Sequence, residues 1–232
     1  MRIFFLFLFA IFGIALAVPP SDTIVTNANG LRGFAGIWNP QKISRTTPIT
    51  IWFHGGMTSG RCNKGLEAGN GYFELAKNHI VVSPSACMSN HWLDGEVLKS
   101  VDLLLDSLEK TLKRKIEKIN LVGVSDGCIG VVGYSFFGRR TVEKRLLISG
   151  NLTILGNAPA DMARAPQAHV GDWTFLQGGN DRLYPLYVTE PWIDSFCAEG
   201  KVKCIKHVDP NGEHDWGYWV ENRKSWILET IK

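Results

Sequence analysis

The stretch KINLVGVSDG, residues 118–127, constrains the fold of this chain more than any other. An apolar run carrying Ile119, Leu121, Val122 and Val124 stops at Ser125, which is held between Gly123 and Gly127. The Gly-x-Ser-x-Gly spacing predicts a strand that turns sharply into a helix. Glycines on both sides leave room for strained backbone at the serine, and its hydroxyl then stands exposed at the end of the strand. A hydroxyl in that position becomes a useful nucleophile only when a base takes its proton, so the rest of the chain has to supply one.

The segments around this turn alternate. LRGFAGIWNP (31–40), PITIWFHGG (48–56), HIVVSPSA (79–86), RLLISG (145–150), DWTFLQGGND (172–181) and KCIKHVDPNGEH (203–214) are short apolar runs ending in turn residues and read as strands. Residues 97–113 carry Val97, Val101, Leu104, Leu105, Leu108 and Leu112 at helical spacing, residues 190–199 read as a helix, and residues 216–231 as one amphipathic closing helix. Strands alternating with helices predict an α/β fold, a mostly parallel sheet flanked by helices. In such sheets ligands bind beyond the carboxyl ends of the strands, and the polar motifs of this chain fall at those ends.

The base for Ser125 should be a histidine oriented by a carboxylate, in the chain order serine, acid, histidine. Two histidines follow the last plausible acid loop. His207 lies inside a strand, whereas His214, in GEHDW, lies in a loop after one and is the expected base. Asp181, in GGNDRLYP, lies at a strand end between Ser125 and His214 and is the expected acid. Its rivals are Asp172 at a strand start, Asp161 in a loop, and Asp215, whose neighbour is His214 itself. Ester or amide chemistry also needs donors for a developing oxyanion. The Asp126 N–H follows the nucleophile, and the turn FHGGMTSG (53–60) offers the Gly56 and Met57 N–H groups. Trp92, Tyr184 and Trp216 lie near these loops and are candidate walls of a substrate pocket.

The motifs WFHGGMTSG, GVSDG, GGNDRLYP and GEHDWGYW, in that order, resemble those of the α/β-hydrolase superfamily. More narrowly they are similar to secreted serine esterases of the feruloyl esterase, polyhydroxybutyrate depolymerase and esterase D types. The resemblance spans about residues 30–230. It implies Ser125, Asp181 and His214 as a triad, no cofactor, and a small or polymeric ester as substrate. No insertion is long enough for a large lid. An acyltransferase or serine peptidase with the same triad, or a non-catalytic binding protein on a hydrolase scaffold, are the alternatives.

Residues 1–17, MRIFFLFLFAIFGIALA, have an early cation, an apolar run and small residues at Ala15 and Ala17, the pattern of a cleaved secretory signal. The remaining 18–232 is expected to form one domain, secreted or periplasmic, with no stable membrane insertion. Its charges are dispersed, and no basic stripe points to nucleic acid. No cysteine–histidine cluster has zinc spacing, so no metal is expected. Export permits disulfides. The expected pairs are Cys62–Cys87 and Cys197–Cys204, with Cys128, three residues past the serine, buried as a free thiol.

Overall fold

The computed structural model describes residues 19–28, 31–56, 62–87, 92–156, 158–199 and 201–231. The expected signal segment, 1–17, lies outside the described residues. Eight strands form one sheet: β1 (Asp22–Ala28), β2 (Leu31–Trp38), β3 (Ile49–Phe53), β4 (Ile80–Pro84), β5 (Lys118–Val124), β6 (Thr141–Ile148), β7 (Asp172–Gly178) and β8 (Lys203–Asp209). Their order is β1-β2-β4-β3-β5-β6-β7-β8. β1 and β2 pair antiparallel, as do β2 and β4. All other neighbours are parallel. The helices are α1 (Lys64–Ala68), α2 (Asn70–Phe73), α3 (Gly95–Leu112), α4 (Gly127–Phe137), α5 (Pro159–Arg164), α6 (Leu186–Ala198), α7 (Trp216–Asn222) and α8 (Lys224–Ile231).

The inner strands are buried on both faces, so they read as continuous apolar runs rather than as alternating ones. Their side chains still divide with period two. Ile49, Ile51 and Phe53 of β3, Ile119 and Leu121 of β5, and Trp173 and Phe175 of β7 join the core under α3, α4 and α6. Trp52, Val122 and Leu176 point the other way, toward Tyr72 of α2, Trp219 of α7 and Ile227 of α8. Two cores on one sheet hold the strand ends in register, which is what a site built from several loops requires. Strand order reverses between β3 and β5, the crevice where ligands collect in open α/β sheets. Between β6 and β7 the described residues add α5 and two 3-10 turns, Leu152–Leu155 and Pro166–His169.

Two expectations are corrected and one element is added. The C-terminal segment is two helices, broken at Arg223, whose backbone leaves the helical region at φ −134° and ψ 30°. The Arg223 guanidinium ion-pairs with buried Asp209 at 2.8 Å, which draws the chain back to the end of β8 and ends α7. The Cys62–Cys87 disulfide is not formed. Cys87 is turned into the interior past β4 and Cys62 lies half-buried ahead of α1. What joins the two segments is a hydrogen bond of 2.8 Å from the Gly65 N–H to Ser85 Oγ. Lastly, β1 adds an edge strand and a hairpin ahead of the first strand read from the sequence. The Cys197–Cys204 disulfide is present and ties the end of α6 to the start of β8.

Candidate active site

β5 delivers Ser125 at its carboxyl end. The Ser125 φ is 56°, left-handed backbone that a residue with a Cβ adopts at a cost of about 1–2 kcal/mol. The turn is so tight that a Cβ at Gly127 would lie 2.0 Å from the Phe53 carbonyl oxygen, and one at Gly123 would lie 2.4 Å from the Gly127 carbonyl oxygen. Both flanking glycines are therefore required by space. The Ser125 N–H donates to the Ile148 carbonyl at 2.9 Å, and its own carbonyl accepts from the Cys128 N–H at 3.0 Å, so the strained residue is held from both sides.

His214 comes from the loop after β8 and Asp181 from the loop after β7. The two loops are fastened by backbone: the Asn180 N–H donates to the Gly212 carbonyl at 3.0 Å, and the Gly179 N–H to the Asp209 carbonyl at 2.7 Å. Asp181 is buried. Its Oδ1 accepts from the Leu183 and Tyr184 N–H groups at 2.9 and 2.8 Å. Its Oδ2 lies 2.7 Å from His214 Nδ1, and His214 Nε2 lies 2.9 Å from Ser125 Oγ. An ionised carboxylate only accepts, so the Nδ1 proton faces Asp181. The Nε2 lone pair then faces the serine hydroxyl. The three residues named from sequence order are thus brought into one hydrogen-bonded chain.

The glycine turn expected to supply oxyanion donors follows β3. Its member in contact with the nucleophile is Gly55, where a Cβ would lie 3.0 Å from Ser125 Cβ and 3.7 Å from Oγ. Gly56 comes next, exposed, with φ 82°. Met57 lies outside the described residues. Asp126 begins the turn into α4 and is buried. His54 braces the turn from below: Nδ1 donates to the Gly55 carbonyl at 3.0 Å, and Nε2 accepts from the Ala86 N–H at 3.1 Å. Burial pushes its imidazole down to about 4, with the Lys64 ammonium adding to that effect. His79, bonded to Thr50 Oγ1 at 2.8 Å, is likewise pushed down to about 4 by burial.

A pH prediction follows. Between about pH 6.5 and 4 the unfolded chain binds protons at these histidines that the folded chain does not, so stability falls as pH drops through that window. For His54 the loss is on the order of 3 kcal/mol, and His79 adds in the same direction. Urea denaturation at pH 7 and pH 4.5 measures it. The loss should be smaller in His79→Gln, and a midpoint that does not move with pH in the parent chain would contradict the assignment.

Trp92 is corrected from a pocket wall to a core residue. It is 1 % exposed, packs edge-on to Phe53 at 4.9 Å, and its Nε1 donates to the His54 carbonyl at 3.0 Å. Trp216 packs against Trp52 at 4.9 Å on the other face of the sheet and anchors α7 behind the histidine loop. Of the three aromatic candidates Tyr184 is the one at the site, edge-on to His214 with centroids 4.8 Å apart. Cys128 is buried, with its sulfur 3.3 Å from the Gly123 carbonyl oxygen, and burial pushes its thiol up, which makes it inert. Sequence reasoning missed Ser149, a buried non-glycine residue at φ 50°. Its N–H donates to the Leu176 carbonyl at 2.9 Å, and its Oγ accepts from Trp219 Nε1 at 3.0 Å, joining β6, β7 and α7 behind the loop of His214. No spacing in the sequence marks it.

No family model matches the chain, and no curated protein matches it. Solved structures do. An esterase of Pyrobaculum calidifontis superposes with a TM-score of 0.67 at 14% identity, over 91% of this chain and 84% of that one. Esterase 2 of the planctomycete Thermogutta terrifontis, with butyrate bound, gives 0.67 at 13% identity, over 92% and 91%. The same esterase phosphorylated by paraoxon gives 0.66 at 13%, over 90% of each chain. The chain has the α/β-hydrolase fold. Within that fold, Ser125, Asp181 and His214 occupy the ends of β5, β7 and the last strand, β8. No large lid covers them among the described residues.

Proposed function

We propose that the protein is a serine hydrolase that cleaves carboxylic esters. The observation that carries the reading is the chain from Asp181 through His214 to Ser125, at 2.7 and 2.9 Å, beside a glycine turn at the top of the sheet. Ser125 attacks the ester carbonyl while His214 Nε2 takes its proton. The tetrahedral oxyanion is held by backbone N–H groups, those of Asp126 and of the turn carrying Gly56 and Met57. His214 then gives the proton to the leaving alcohol, an acyl-enzyme remains, and water activated by His214 releases the acid. Asp181 keeps the imidazole in the useful tautomer and stabilises its cation. The chemistry draws on no cofactor.

The solved esterases with this fold support the reading. Esterase 2 of Thermogutta terrifontis was captured both with butyrate and phosphorylated by paraoxon, a reagent that phosphorylates activated nucleophiles. Secretion is part of the proposal; the three-part pattern of residues 1–17 and the Cys197–Cys204 disulfide support it. Hydrolysis of p-nitrophenyl acetate, butyrate and palmitate tests the activity. Turnover of at least one ester, with a chain-length optimum, is expected. No turnover of any, together with no labelling by a fluorophosphonate, would move the chain to a binding role on a hydrolase scaffold.

A further inference from the structure

Tyr184 contacts the acid and the base of the candidate triad and the residue next to its serine. Its N–H donates to Asp181 Oδ1 at 2.8 Å. Its ring stands at 90° to the His214 imidazole. Its O–H donates to Asp126 Oδ1 at 2.7 Å, across 58 residues of sequence. Asp126 is 6 % exposed. Among the described residues no ion pair reaches its carboxylate, and a buried carboxylate without a donor is costly. It also sits one residue from the nucleophile, where unshielded negative charge would oppose the oxyanion that catalysis must stabilise. The phenol answers both problems. Burial, and then the carboxylate itself, push the Tyr184 hydroxyl up to about 12, so it stays protonated and donates throughout the neutral range.

We propose that Tyr184 is a positioning residue, and that its bond to Asp126 fastens the acid loop after β7 to the nucleophile turn after β5. The proposal rests on the serine-hydrolase reading above. The clasp does two things at once. It fixes the separation across which His214 takes the serine proton, and it fixes the Asp126 backbone, whose N–H is an expected oxyanion donor. Misplacement of such groups by even a fraction of an ångström is felt mainly in the chemical step, so the signature is in kcat rather than in KM.

Tyr184→Phe removes one oxygen and keeps the ring. We expect kcat to fall about 10- to 50-fold with KM within about twofold and a melting temperature within about 2 °C of the parent. Asp126→Ala should lose a similar amount, and the double variant should be no worse than the worse single, because both remove one interaction. Asp126→Asn keeps an acceptor oxygen and should recover most of what Asp126→Ala loses. A merely structural contact would lower the melting temperature and leave kcat per folded molecule alone. A Tyr184→Phe enzyme with unchanged kcat, a rise in KM alone, or losses that multiply in the double variant each overturn the clasp. Fluorophosphonate labelling of the parent chain at Ser125 is read separately. If it fails, the serine-hydrolase reading fails with it; if it succeeds while Tyr184→Phe is unimpaired, only the clasp is lost.

Discussion

Ser125→Ala should lower kcat/KM on p-nitrophenyl esters by about 10⁴- to 10⁶-fold, a loss of roughly 5–8 kcal/mol of transition-state stabilisation. The loss is large because the covalent route disappears altogether, while the oxyanion donors and the binding surface remain and leave a residual rate. The variant should fold as the parent does. Serine and alanine both carry a Cβ, so the strain at φ 56° is shared, and the backbone bonds to Ile148 and Cys128 are untouched. A denaturation midpoint unchanged within about 0.5 kcal/mol is therefore expected. Burst-phase kinetics on a slowly deacylated ester would show the acyl-enzyme directly, and the burst should vanish in Ser125→Ala. Activity that survives in the variant would move the nucleophile elsewhere.

Asp181→Asn should cost about 10³- to 10⁴-fold in kcat at neutral pH. The reason lies in the two separate jobs of the carboxylate. Oδ1 is committed to the Leu183 and Tyr184 N–H groups, so an asparagine there would keep its oxygen on that side. Its NH2 would then point at His214 Nδ1, which would have to become the acceptor. The imidazole proton would move to Nε2, and His214 would offer Ser125 a donor where it now offers a lone pair. The binding surface is unaltered, so KM should change little. Rates of fluorophosphonate labelling, which need the activated serine but not turnover, should fall in parallel. A variant within tenfold of the parent would mean that Asp181 only holds its own loop.

The alternation of strands and helices, the strand–turn–helix at Ser125 and the acid and base loops were legible in the sequence because each is a local pattern; the strand order was not. A buried parallel strand is a short apolar run, a nucleophile turn needs glycine where a Cβ would collide with Phe53 or Gly127, and chain order narrows six histidines to His207 and His214, of which only His214 lies in a loop after a strand. What was not legible depends on distance between remote segments. The cysteine pairing is of this kind: the segments of Cys62 and Cys87 do approach, but through Gly65 and Ser85. Trp92 could not be separated from a pocket wall by composition, since tryptophan serves both burial and recognition; its 1 % exposure decides the matter. The break at Arg223 is imposed by Asp209 from another strand, so the apolar periodicity of residues 216–231 runs straight through it. The edge strand β1 did have a local signal, Asn29-Gly30 between two strand-forming runs. Tyr184 was legible as an aromatic near the acid loop, but its tie to Asp126 belongs to the folded structure alone.

The central claim is that Ser125 is activated by His214, and one measurement meets it directly: intact-mass and peptide-level detection of a fluorophosphonate adduct on the folded protein. The account predicts a single equivalent, on the peptide carrying Ser125, formed rapidly in the parent chain and at least a thousandfold more slowly in His214→Ala, about the loss expected when the base is removed. An adduct on another residue, or labelling of Ser125 at the same rate without His214, would contradict it.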